Sequence, residues 1–239
     1  MRGKDPLESW LYLDRALRYD EMPAEFYEHS RAALGRLSAL LDAPISKKVN
    51  LAESGIYECS RNALAPSDLS RACELYRRVV TRGGSSSTFV QEGLLEIIAS
   101  AKDLASIPFW LEILDISRPR DSFAEKRRIY ALAALARIAI RHNAPEGYEP
   151  LRTAARHQNP EVRALAVHYL GRACLEDKDS LPPEVQAELT EIAMRDPAFG
   201  PRFQARCVLQ TADGPAPLDN PGGIFLFKLV WEAGTAIEP

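Results

Sequence analysis

The 239-residue chain is poor in the side chains on which reactive sites are usually built: it holds only four cysteines and four histidines. Cys59, Cys73, Cys174 and Cys207 stand far apart with no C-x-x-C pair. Three of them fall within apolar helical patterns, so the spacing favours buried free thiols in a reducing compartment over a disulfide or metal role. His29, His142, His157 and His168 form no H-E-x-x-H or related zinc spacing. No G-x-S-x-G turn is present to expose a nucleophilic serine. No G-x-G-x-x-G motif is present, nor the βαβ pattern it needs. The run 83–87, Gly-Gly-Ser-Ser-Ser, has no Gly-Lys-Ser/Thr after it and no strand before it. It is expected to be a flexible connection and not a phosphate cradle. No metal and no cofactor are expected.

Long apolar runs are missing too. The longest, 129–140, is interrupted by Arg137 and is too short to span a bilayer. The N-terminus shows no charged-then-apolar segment, and no N-x-S/T acceptor occurs. A cytoplasmic protein with no membrane role is expected. The net charge of −3 excludes a strongly basic or acidic chain. Acidic residues are scattered along helical stretches, which fits solvated faces better than a paired-carboxylate site.

What is abundant is helical apolar pattern, with 46% hydrophobic residues. The stretch 151–171 reads as two short helices folded back on each other. Pro150 suits a first helical turn because it has no N–H to donate. Asn159 can cap the next helix with Pro160 at its first position. Val162, Leu165, Ala166, Tyr169, Leu170 and Ala173 then make one broad apolar face. Two such helices cannot bury their faces alone.

Similar units flank this one. Arg163, Ala166 and Leu170 recur 35 residues upstream as Arg128, Ala131 and Leu135. They recur 39 residues downstream as Arg202, Ala205 and Leu209. A two-helix repeat of this length is the signature of an α-solenoid. The asparagine-proline turn, the Val162-Arg163 pair, Ala166 and Leu170-Gly171 resemble the HEAT-repeat family. The resemblance is good over 150–172, fair over 107–142 and 182–210, and faint before that. Two departures, Arg118-Pro119 and the longer turn 196–201, suggest irregular stacking. The resemblance implies an all-α, right-handed α-α superhelix and a general role in binding partners. It implies no catalytic set.

Taken in order, helices are expected over about 6–19, 23–43, 51–64, 67–82 and 88–101, the last two as a degenerate further unit. Another is expected over 107–117. Ser122 and Glu125 read as a capping box opening a long helix that ends near Asn143, a candidate left-handed cap. Pro182-Pro183 begins the next unit. Residues 1–210 are thus expected to be a single HEAT-like solenoid, with best repeats 107–142, 145–177 and 182–210 and degenerate N-terminal helices over 6–101. Residues 211–239 form a Pro/Gly-rich linker and extended tail. Within it, 224–231 reads as a β-like strand that could pair with another copy, lie on the last helix or begin a further domain.

One charge feature stands out. Residues 118–172 hold eleven Arg or Lys against five Asp or Glu, an excess of +6, while the rest of the chain holds nineteen against twenty-eight, or −9. Arg137 and Arg172 occupy equivalent places on successive second helices. Arg141 and His168 lie near them. On the concave side of a HEAT-like stack these four could grip phosphates or an acidic peptide. The competing expectation is a wet or structural role for the same arginines. Three functions follow in order: a non-enzymatic scaffold binding another protein or acidic peptide on the concave face; a nucleic-acid binder, DNA-glycosylase-like among the options the fold permits; and an enzyme resembling HEAT-like bilin lyases. The last two rest on fold-level analogy.

Overall fold

The computed structural model describes residues 5–17, 24–44, 49–61, 63–83, 86–116, 121–143, 145–176 and 180–212. The 224–231 segment and Arg118-Pro119 lie outside them. The described residues are all-α. They form ten α-helices: α1 Pro6–Leu17, α2 Ala24–Asp42, α3 Leu69–Arg82, α4 Ser87–Ser100, α5 Ile107–Leu114, α6 Ala124–His142, α7 Pro145–Ala154, α8 Pro160–Leu175, α9 Pro183–Arg195 and α10 Phe199–Ala212. Among the described residues no helix is long and apolar enough to cross a membrane. The chain divides into two compact units, residues 10–134 and residues 1–9 with 135–239.

Several helix ends follow from single residues. Asn159 Oδ1 accepts the Glu161 N–H at 2.8 Å, and Pro160 takes the first position of α8. Asn143 ends α6 with φ of 44°, the left-handed conformation that asparagine tolerates. Four starts or interiors differ from the sequence expectation. The 51–64 stretch is not an α-helix but two 3-10 segments, Leu51–Ser54 and Ile56–Arg61. Gly55 stands between them at φ 68°, which an α-helix does not permit. Pro150 lies inside α7, because Pro145 supplies the helix start. The chain forgoes one internal hydrogen bond there. At α6 the helix begins at Ala124, one residue later than a Ser122 cap requires, and Asp121 Oδ1 accepts the Phe123 N–H at 3.0 Å. The turn before α10 is shorter than expected: Gly200 and Pro201 are part of the helix, with proline in the first turn where its missing N–H costs nothing.

Within residues 10–134, contacts between elements recur at a near-constant sequence separation. On one side, Arg31 pairs with Asp68 at 2.9 Å and Arg78 with Asp42 at 2.6 Å, joining α2 to the start and body of α3. Arg77 then forks onto Glu112 of α5. On the other side, Gly93 of α4 lies against the backbone of Ile56 and Tyr57. Lys126 of α6 pairs with Glu92 at 2.6 Å, and Tyr130 Oη donates to Glu96 at 2.8 Å. These partners stand 34 to 37 residues apart. The contacts advance together along both helices, so α4 and α6 run in the same direction, as do α2 and α3.

Residues 135–239 repeat the arrangement. Arg152 of α7 pairs with Glu188 of α9 at 2.7 Å, 36 residues on. His168 of α8 meets Gln204 of α10 at the same separation. Gly171 lies against Val208. Ala131, Leu135, Ala166, Leu170 and Ala205 are fully buried. Alanine and glycine at these places let helix axes approach closely. Gly147 shows the limit, since an added Cβ would lie 2.9 Å from Ala139 Cα.

The arginines of the repeat are structural in their contacts. Arg163 Nη1 donates to the carbonyls of His157 and Gln158 at 3.0 and 3.1 Å. Arg202 Nη1 makes the same pair of bonds, to Asp196 and Pro197 at 2.7 and 2.8 Å. Each holds the turn that leads into its own helix. Arg163 also forks onto Asp196 of the following turn, with both bonds at 2.8 Å. At the upstream unit the buried arginine is Arg127, with 1% of its surface exposed, while Arg128 is half-buried.

Candidate functional site

The four residues expected on a basic face all belong to the unit made of 1–9 and 135–239. They do not form an open basic row. Arg137 is buried at 2% exposure, out of reach of a phosphate in solution. Arg141 is exposed at the end of α6. His168 and Arg172 are half-buried on α8, and both face acids from the start of the chain.

That meeting place is built around Asp5. Its Oδ1 accepts the Leu7 N–H at 2.9 Å, which caps the start of α1, and the Tyr169 hydroxyl at 2.9 Å. His168 Nε2 lies 3.7 Å from Oδ2, beyond hydrogen-bond reach but close enough for an ion pair when the ring is protonated. On the far side of the ring, Nδ1 lies 3.2 Å from the Gln204 amide nitrogen. An amide nitrogen only donates, so Nδ1 accepts and the neutral ring carries its proton on Nε2, toward Asp5. Arg172 Nη1 reaches Glu8 at 3.3 Å. Burial pushes the Asp5 carboxyl up, but His168, the Leu7 N–H and the Tyr169 hydroxyl together outweigh it and hold the group below its ordinary 3.8. Burial first, then the Asp5 charge, pushes the Tyr169 phenol well above its ordinary value. Tyr169 is therefore a donor at physiological pH and not a base.

A second cluster lies within residues 10–134, and sequence reasoning passed over it. Glu92 and Glu96 are one turn apart on α4. The Tyr130 hydroxyl of α6 lies 3.1 Å from Glu92 Oε1 and 2.8 Å from Glu96 Oε1. The Trp10 indole N–H donates to Glu96 Oε2, and the Trp10 and Tyr130 rings meet edge to face with centroids 5.8 Å apart. Burial, then Glu96 and Glu92, raise the Tyr130 phenol far above its usual range. The signal was present as an i, i+4 glutamate pair with a tyrosine 34 residues after the second.

The third polar cluster is the buried Arg127. Its Nε donates to Tyr76 Oη at 3.0 Å, Nη1 to Asp121 at 2.8 Å and Nη2 to Gln91 at 3.2 Å. Each nitrogen of the fork has a partner, which is what a buried guanidinium requires. The sequence repeat singled out Arg128, and its neighbour Arg127 is the one that turns inward. Cys73, Cys59 and Cys174 are buried and unbonded to one another, and burial pushes the Cys73 thiol up to about 12. Such a thiol is a poor nucleophile. Among the described residues no group of three His, Cys, Asp or Glu is placed to hold a metal ion.

In these clusters the acids, hydroxyls and guanidinium groups are aimed at one another across helices. They are suited to anchoring one element on another. No family model, no curated protein and no solved structure matches the chain.

Proposed function

We propose that each unit is a stretch of HEAT-like α-solenoid, and that the chain is a non-enzymatic interaction module that binds another protein on its layer of second helices. The recurrence of inter-helix contacts 34 to 37 residues apart in both units carries this. A stack with that period presents the same helix of every pair on one side, and a repeated surface of this kind suits an extended or helical partner. The burial of Arg137 and the pairing of Arg172 with Glu8 speak against the nucleic-acid alternative.

The test is affinity capture of the tagged chain from the lysate of its own host, with nuclease added to half the sample. A stoichiometric protein that survives nuclease is the expected result. Recovery of nucleic acid alone, lost on nuclease treatment, or turnover of a small substrate by a partnerless monomer, overturns it.

A further inference from the structure

Helix α9 carries one face that is used and one that is not. Arg152 and Arg156 of α7 both reach Glu188 of α9, at 2.7 and 2.8 Å, and so hold one helix pair on the next. Leu151 and Leu189 mark matching places on α7 and α9, both fully buried. The places of Arg152 and Arg156 therefore recur on α9 as Thr190 and Met194. Glu188 and Thr190 stand two residues apart and lie on opposite sides of the helix. Glu188 faces α7, and Thr190 and Met194 face away from it. An open groove of about 600 Å³ runs along that far side, lined by Pro183, Ala187, Thr190, Glu191 and Met194 among others. Met194 is 66% exposed. Beside it, Leu209 of α10 is half-buried, whereas its counterpart Leu170 on α8 is fully buried.

The last helix pair of a stack needs an outer face that is polar or covered. Threonine and methionine cannot rebuild the ion pairs that the two arginines make, so a further unit would not join α9 as α9 joins α7. The chain itself holds an apolar segment within reach. Residues 224–231, outside the described residues, read Ile-Phe-Leu-Phe-Lys-Leu-Val-Trp, with Lys228 the single charge. Three residues join α9 to α10, so α10 runs back beside α9 and brings Ala212 toward the Pro183 end of the groove. The eleven residues 213–223 reach up to about 36 Å. The groove follows α9, whose 13 residues are about 20 Å long. Eight residues in extended form cover about 26 Å, enough for its whole length.

We propose that residues 224–231 lie along the far side of α9, with Lys228 toward Glu191, and close this end of the stack. This goes beyond the interaction-module reading, because it concerns the end of the stack and not the layer that receives a partner. In an extended run the alternate residues Phe225, Phe227, Leu229 and Trp231 share one face. Met194 offers that face an adaptable apolar surface at the centre of the exposed side of α9. Left in solvent, the same run would be a template for aggregation. Seated on α9, it covers the exposed methionine and is itself covered.

The probe is chymotrypsin, which cuts after Phe225 and Phe227, applied to the full chain at low enzyme ratio and read by intact mass. Thr190→Lys with Met194→Lys places two charges in the groove, where they also repel Lys228. Cleavage within 224–231 is expected to be at least about fivefold faster in this variant than in wild type. Far-UV circular dichroism reports whether the variant is folded. Equal cleavage rates in a folded variant overturn the proposal. Should the variant not fold, Met194 itself becomes the reporter. Hydrogen peroxide should oxidise it about fivefold more slowly in wild type than in Phe225→Ser with Phe227→Ser, a change outside the described helices. Equal oxidation rates overturn the proposal in the same way. Protection of Met194 that disappears on about tenfold dilution assigns the groove to a second copy of the chain, and that result also overturns it.

Discussion

Replacing Gly171 by alanine separates packing from helix propensity. In an exposed helix the change would stabilise the chain by about 1 kcal/mol, because glycine has more backbone freedom to lose. Here the new Cβ would lie 2.5 and 2.6 Å from the two γ-carbons of Val208 and 3.2 Å from its Cβ. No carbon pair tolerates the first two distances. Val208 is 2% exposed on α10, and a helical valine has essentially one χ1 rotamer, so it cannot swing aside. The strain passes to the α8–α10 spacing. Overpacking of this kind costs about 1–3 kcal/mol, so the net expectation is a loss of up to about 2 kcal/mol in place of the propensity gain. Val208→Ala alone removes two buried methyl groups and costs about 2 kcal/mol. In the double variant both γ-carbons are gone, and the summed losses should fall short of additivity by about 1–3 kcal/mol. Urea unfolding followed by circular dichroism at 25 °C measures all three. A Gly171→Ala chain more stable than wild type by the propensity gain would refute the close approach of α8 and α10.

Gly93→Ala should be worse than Gly171→Ala, because its Cβ would meet backbone, Ile56 O and Tyr57 Cα both at 2.8 Å, which no truncation relieves; a loss under about 0.5 kcal/mol in the same urea assay would contradict it. Arg127→Ala should cost about 3–5 kcal/mol by removing the donors to Tyr76, Gln91 and Asp121, and Arg127→Met nearly as much, because methionine restores volume but no donor; a methionine variant as stable as wild type would remove the network argument. Asp5→Asn tests the pH sign. The Asp5 pKa is lowered from 3.8, so its contribution is present in full above that pH and lost as the pH falls through the lower folded value. The variant should therefore melt below wild type at pH 7, by about 1–3 kcal/mol of stability, and converge with it in strong acid. A gap that persists unchanged into strong acid would show that Asp5 acts by shape alone.

Much of the helical plan was legible because it is written in local chemistry. Asn159-Pro160 specifies a helix start whatever surrounds it, and the left-handed Asn143 specifies a stop. The Ala131, Ala166 and Ala205 series, with Leu135 and Leu170, marks buried positions, because small and branched residues at helical spacing have few alternatives to a helix interface. Errors arose where two residues competed for one task. Pro150 was expected in a first turn and Ser122 as a cap, whereas α7 starts at Pro145 and Asp121 accepts the Phe123 N–H. Arg128 was expected to be the structural arginine of its unit, whereas its neighbour Arg127 is the buried one. For the arginine the deciding partners, Tyr76 and Gln91, lie far away in the chain.

The candidate site was legible in part. His168 and Arg172 were singled out for their charge, yet the groups that define them, Asp5 and Glu8, come from 163 and 164 residues earlier in the sequence. No periodicity connects those positions, and the acids at the start of α1 look like ordinary first-turn acids until they are seen against α8. The same holds for Trp10 on Glu96 and Tyr130. Helices over most of 6–210 and their apolar stripes could be read from the sequence, because capping, turn chemistry and 3.6-residue periodicity are local. Only the tertiary structure decided which arginine is buried, which glycines are contact points and what α1 lies upon, because desolvation and close packing depend on partners that local sequence does not name.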